Sequence, residues 1–296
     1  MQPVGYLERQ AFQLCRSFFY KEKFDEVLTF GVHFYFLKFQ INNFMKRFST
    51  LCFVCVAVFS AFAQRPAADE LKTSKGSLMI QPVFHASLVL TWDNKTIYID
   101  TYGGAKAYKG LAAPDLILIT DIHPDHLDTM TLNGIETSKA KFIVPQAAAD
   151  MLPAKLKDKA LVLNNGKNIS EQGISISAIP MYNLPKSKDS KHTKGRGNGY
   201  VLNLGGKIVY ISGDTEDIPE MRSLKNIDVA FVCMNRPYTM DINQASSAVI
   251  EFKPAIVYPY HYRGKDGLSD TEAFKKLVNV GNKAIDVRLR NWYTEY

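Results

Sequence analysis

The stretch DLILITDIHPDHLD, residues 115–128, sets an uncharged, branched-aliphatic run from Leu116 to Thr120 directly against a cluster of acids and imidazoles. The run has the length and composition of a buried strand. Asp121, His123, Asp125 and His126 follow within six residues. Ligand sites of α/β folds collect in the loops that leave the C-terminal ends of strands. Alternate residues leaving a strand point the same way, so Asp121, His123 and Asp125 can converge, and aspartate and histidine are both ligands for divalent metals.

On the N-terminal side of this stretch, LMIQPV from Leu78, SLVLTW from Ser87 and TIYID ending at Asp100 are short β-rich runs. Asp93 and Asn94 supply a turn between the last two, which predicts an antiparallel start. On the C-terminal side, KFIVP (141–145), ISISAIP (174–180), GYVLNL (199–204), KIVYIS (207–212), DVAFVC (228–233) and AIVYPY (255–260) read as buried strands. Gly205 and Gly206 form a two-residue hairpin turn between two of them. Asn243 to Phe252 and Thr271 to Val280 carry apolar residues at helical spacing, with Asp270 placed to cap the second. No internal repeat and no linker divides the chain after residue 77, so the pattern predicts one α/β domain of two sheets with helices outside.

The segment Thr120-Asp121-Ile122-His123-Pro124-Asp125-His126 resembles the T-H-x-H-x-D-H signature of the metallo-β-lactamase-fold hydrolases, with aspartate at the first histidine position. His192 before a G-x-G-N-G-Y turn, Gly213-Asp214-Thr215 after KIVYIS, and His261 after AIVYPY follow the same family in order. MYN at 181–183, HTKGRGNGYV from 192, ISGDTEDIPEM from 211 and YPYHY from 258 are similar to the branch that includes ascorbate-phosphate lactonase. The resemblance spans about residues 78–292 and implies a four-layer αββα sandwich of two mixed β-sheets flanked by helices. It implies one metal held by Asp121, His123 and His192, a second by Asp125, His126 and His261, and Asp214 as the bridge. The chain after Ala63 has five histidines, and four of them fall at these positions. The fifth, His85, reads as a satisfied polar residue near the site.

Two divalent cations roughly 3.5 to 4 Å apart would bring the pKa of a shared water toward neutrality and polarise a carbonyl or phosphoryl oxygen. The reaction class this implies is metal-assisted hydrolysis of a small ester, lactone or phosphoester by a metal-bound hydroxide. Asp125 and Asp214 are the candidate catalytic residues, orienting the hydroxide or passing a proton to the leaving group. Zinc is the first expectation, with manganese or iron as alternatives. Aspartate at 121 adds a negative charge and a harder donor, which makes harder cations more competitive there. Lys186, Lys188, Lys191, Lys194 and Arg196 lie beside His192 and would suit an anionic small-molecule substrate, although such a run is also an ordinary solvated loop. Asn183, Asn235, Tyr238, Tyr260, Tyr262 and Arg263 are further substrate-facing candidates, and Cys233 reads as a buried core thiol.

Residues 45–63, MKRFSTLCFVCVAVFSAFA, have a basic start, an uncharged run of 16 residues from Phe48, and alanines at 61 and 63. This is the anatomy of a secretory signal peptide cleaved after Ala63, which predicts export without a stable membrane anchor. Residues 1–44 carry 12 phenylalanines and tyrosines with no period and read as an upstream extension outside the translated protein. The hydrolase domain is expected over 64–296. Lysine plus arginine exceed aspartate plus glutamate 36 to 29, but the excess is spread along the chain, so dedicated nucleic-acid binding is not indicated. Three of the four cysteines lie before residue 64, which excludes a disulfide framework. Two other functions fit the same residues: a non-catalytic or single-metal binding protein in which Asp121 has reduced metal loading, and a nuclease of the same fold.

Overall fold

The structure, a computed structural model, describes residues 65–294; the expected upstream extension and signal peptide lie outside them. The first sheet runs β1 (Asp69–Lys72), β2 (Ser77–Phe84), β3 (Ser87–Trp92), β4 (Lys95–Ile99), β5 (Leu116–Leu118), β6 (Lys141–Val144) and β7 (Ala160–Val162), each strand beside its chain neighbour. The strands pair antiparallel from β1 to β4 and parallel from β4 to β7. The second sheet repeats this plan. In it β8 (Asn168–Glu171), β9 (Ile174–Met181), β10 (Gly197–Leu204) and β11 (Lys207–Ile211) pair antiparallel. β12 (Val229–Cys233) and β13 (Ile256–Tyr260) then join in parallel. After a small hairpin of β14 (Arg263–Gly264) and β15 (Gly267–Leu268), β16 (Asp286–Val287) completes that edge in parallel with β13.

Alternation along the strands decides the layering. In β3, Leu88 and Leu90 enter one apolar cluster and Val89 another; in β5, Leu116 and Leu118 part from Ile117 in the same way; in β6, Ile143 parts from Phe142 and Val144. Each of these strands is therefore buried on both faces, which requires a layer on either side of the sheet. The inner cluster joins these residues to Ile176, Tyr200, Leu202 and Phe231 of the second sheet. The outer one lies under α1 (Thr129–Gly134), α2 (Gln146–Met151) and α3 (Ala154–Lys157), which contribute Leu132, Ala148 and Leu156.

On the far side, α4 (Pro219–Arg222), α5 (Ile242–Phe252) and α6 (Thr271–Gly281) bury Met221, Val249 and Phe274. The result is the four-layer αββα sandwich. Asp241 starts α5 by accepting from the Asn243 and Gln244 amides while Gln244 reaches back to the Asp241 amide, a capping box. Asp270 caps α6 through the Ala273 amide, as its position predicts. Gly205 and Gly206, both at positive φ, close the β10–β11 hairpin. Among the described residues no helix is long and apolar enough to cross a membrane.

Candidate metal centre

The polar cluster is built from residues that directly follow β4, β5, β11, β12 and β13, together with the turn after β2 and the loop after β9. Asp100, just past β4, is fully buried. It accepts from the Thr120 amide and hydroxyl, both at 2.7 Å, and its Oδ2 lies 2.8 Å from His126 Nδ1. A carboxylate there keeps a proton on Nδ1, so that Nε2 is the nitrogen that would offer its lone pair to a cation once its own proton is displaced. Burial opposes an imidazolium at His126, but Asp214, Asp100 and Asp125 outweigh it and hold its pKa well above that of free imidazole.

Asp214 lies where the two halves meet. Its Oδ2 is 3.2 Å from His192 Nε2 and 3.3 Å from His126 Nε2, and its Oδ1 is 3.1 Å from His261 Nε2. Gly213 makes this approach feasible: it sits at φ 61°, and a Cβ there would lie 2.8 Å from Met181 Sδ and 3.0 Å from the Asn198 carbonyl. On one side of Asp214, the donor atoms of Asp121, His123 and His192 lie within 4.8 Å of one another; on the other, those of His126, Asp214 and His261 do, as do those of His85, Asp125 and His261. All seven residues expected from the sequence are thus brought together.

His85 behaves as its sequence reading predicts. Burial, with the neighbouring His261 charge, pushes its pKa down to about 4, so the ring is neutral. Its Nδ1 is 3.0 Å from the Tyr293 hydroxyl and its Nε2 is 3.2 Å from Asp125 Oδ2. Tyr293 keeps its proton, because burial raises its pKa. The hydroxyl therefore donates to Nδ1, and Nε2–H donates to Asp125. His192 is held by Asn183, whose Oδ1 takes its amide at 2.8 Å and lies 3.2 Å from its Nδ1. Asn235 Nδ2 is 3.2 Å from His261 Nε2. Three residues of the cluster, His85, Asp100 and His261, hold φ at 56°, 44° and 46°. Non-glycine residues in that region cost about 1–3 kcal/mol each and are concentrated at functional sites.

The cluster opens into a cavity of about 310 Å³ lined by His123, Pro124, Asp125, Lys191, His192, Asp214, Asn235 and Tyr238. A larger hollow of about 720 Å³ beside α6 includes none of these groups. Of the basic loop residues, Lys191 reaches the cavity, its ammonium 5.6 Å from the Tyr238 ring centre. Lys194 is paired with Glu220, and Arg196 with Asp121. Tyr260 and Tyr262 are not substrate-facing. The first is fully buried with its hydroxyl taking the Gly213 amide, and the second bonds the Arg290 carbonyl. Arg263 stacks on Tyr293, its guanidinium carbon 4.1 Å from the ring centre, and Cys233 is buried as expected.

A sequence profile described as the beta-lactamase superfamily domain matches residues 79–261. The chain belongs to that superfamily. A UPF0173 metal-dependent hydrolase of Pyrococcus abyssi is 34% identical over 182 residues, 60% of this chain and 78% of that one. A structure from Parabacteroides distasonis, described as a metal-dependent hydrolase, is 38% identical with a TM-score of 0.68, covering 77% of this chain and 99% of that one. Igni18, a metallo hydrolase of Ignicoccus hospitalis, is 25% identical with a TM-score of 0.61, covering 74% and 96%. The protein is a metal-dependent hydrolase of the metallo-β-lactamase superfamily. Its own residues fit such a group: the buried atoms His126 Nε2, His192 Nε2 and Asp214 Oδ1 have no hydrogen-bond partner. Potential donor atoms that crowd together at 3.1–3.3 Å without a hydrogen bond between them have the arrangement of a cation cradle.

Proposed function

We propose that the protein uses two divalent cations to hydrolyse a small ester, lactone or phosphoester with an anionic substituent. The observation that carries this reading is Asp214, whose two oxygens face imidazoles of both halves while His126 Nε2 and His192 Nε2 stay unbonded. Asp121, His123 and His192 would hold one cation and Asp125, His126 and His261 the other, with Asp214 shared. Bound cations of this kind acidify water and polarise a carbonyl or phosphoryl oxygen. Asp100 and Asn183 orient the imidazoles of His126 and His192, two of the three that face Asp214. His85 fixes the Asp125 carboxylate through Oδ2 and leaves Oδ1, 3.9 Å from His126 Nε2, free to help hold the second cation and to orient the attacking water. Lys191 and Tyr238 at the cavity wall favour a compact anionic group. Each position then has two imidazoles and one carboxylate besides the shared Asp214; that mixed donor set suits zinc, and aspartate in place of the signature's first histidine leaves manganese or iron competitive at the first position.

Metal quantification on the purified protein tests this reading. About two equivalents of divalent metal are expected, falling to one or fewer in His126→Ala. Well below one equivalent in the wild type after incubation with zinc or manganese would refute it.

The signal-peptide pattern over 45–63 supports an exported enzyme. A mature N-terminus at Gln64 in the exported fraction is the expected result, and full-length protein retained in the cytoplasm would count against export.

A further inference from the structure

The residue that departs from the family signature has acquired a partner. Gly197 opens β10 with no space for a side chain: a Cβ there would lie 2.7 Å from the Thr120 carbonyl and 2.6 Å from Met181 Cε. β10 therefore starts pressed against the residue that precedes Asp121, and the Asn198 amide donates to the Thr120 carbonyl at 2.9 Å. Arg196, one residue earlier, grips the Asp121 carboxylate with two bonds, Nε to Oδ1 at 3.2 Å and Nη2 to Oδ2 at 3.0 Å. Asp121 is fully buried, and the arginine side chain is 20% exposed. On the opposite side His123 Nδ1 lies 2.7 Å from Asp121 Oδ2, and His192 Nε2 lies 3.9 Å from it. A carboxylate has about four lone-pair positions, enough for a guanidinium fork and a cation together.

Where the family signature has a neutral imidazole, this chain has a carboxylate in contact with a guanidinium, and the sum of the two charges is again zero. Arg196 does not line the cavity, so it acts through Asp121 rather than on substrate. We propose that Arg196 is a positioning residue that balances the Asp121 charge, so that the pair fills the place of one neutral ligand and sets cation affinity at the Asp121, His123 and His192 position. This rests on the two-cation reading above. It also makes restoration of the family histidine at 121 alone harmful, because Arg196 would then face a divalent cation with nothing to offset it.

The test is chelator-competition titration of the full-length protein with Zn²⁺ alone, the first-position step being the one that disappears in His123→Ala. Arg196→Met is expected to tighten that step about tenfold or more by removing a nearby positive charge. Asp121→His is expected to weaken it by a similar factor, and Asp121→His/Arg196→Met to return it to within about threefold of wild type. In metal-free protein each single substitution should lower the melting temperature, and the pair should recover most of the loss, since each single change leaves a charge unpaired in a buried setting.

A merely structural arginine would not tighten metal binding on removal. Arg196→Met that weakens or leaves unchanged the first step, or Asp121→His that tightens it, overturns the proposal. Should Arg196→Met not fold, the other two variants decide, the double binding at least about tenfold tighter than Asp121→His. A wild type that takes up no Zn²⁺ overturns the two-cation reading and this inference together. Two clear steps without the opposed shifts overturn only this one.

Discussion

Asp214→Ala is expected to abolish stoichiometric metal uptake and to lower hydrolysis of a chromogenic phosphodiester or ester by about a thousandfold or more. The estimate follows from what the cations supply: water activation at neutral pH depends on bringing a pKa of about 15.7 down to about 7. Among the described residues Asp214 is the one carboxylate within 3.3 Å of His126, His192 and His261 at once, so its loss removes a donor from both positions. Burial would raise its pKa, but the charges of His261 and His126 hold it well below the usual carboxylate range. It is therefore ionised before any cation arrives. Asp214→Asn keeps the shape without the charge and is expected to lose metal as well, which separates a ligand effect from a packing one. Metal content and turnover within a few-fold of wild type in both variants would disprove the assignment.

The second large effect is expected at a residue that touches no cation. Asp100→Asn should reduce metal affinity by about 10–100-fold, the usual consequence of removing the partner that orients a ligating histidine. An asparagine can keep the Thr120 amide bond through its Oδ1, but its NH₂ group then faces His126 Nδ1. Nδ1 must become the acceptor, which moves the ring proton to Nε2 and blocks the atom that faces Asp214. Affinity by chelator competition reads the loss, and histidine nitrogen shifts read the tautomer. Unchanged affinity, or a His126 that keeps its proton on Nδ1, would show that the contact is only structural.

How legible the centre was in the sequence depended on chain distance. Asp121 to His126 form one local string, and Asp214 and His261 each end a long apolar run, so strand reading alone places them at one edge. Asp100 also ends such a run, TIYID, but a lone aspartate after a strand is the common form of a turn residue. Only the parallel pairing of β4 with β5 sets it against Thr120 and His126. Arg196 was hidden by its company, since four lysines within ten residues read as a solvated loop. Its difference from them arises from the glycine that follows it.

The main strands and both long helices were legible from apolar runs and caps. β1, β7 and β8 were not, because they are three- or four-residue edge or near-edge strands with exposed positions and little periodicity. The matched plan of the two sheets was also invisible as a repeat, since pairing order is kept while residues are not.

The left-handed backbone at His85, Asp100 and His261 means that evolution and bench selection would pull this protein in different directions. A library screened for heat resistance alone would favour glycine or asparagine at these three positions, which relax the chain while discarding the very rings and carboxylate that meet around Asp214. Hardened clones should therefore be ranked by metal carried per chain before they are ranked by melting point.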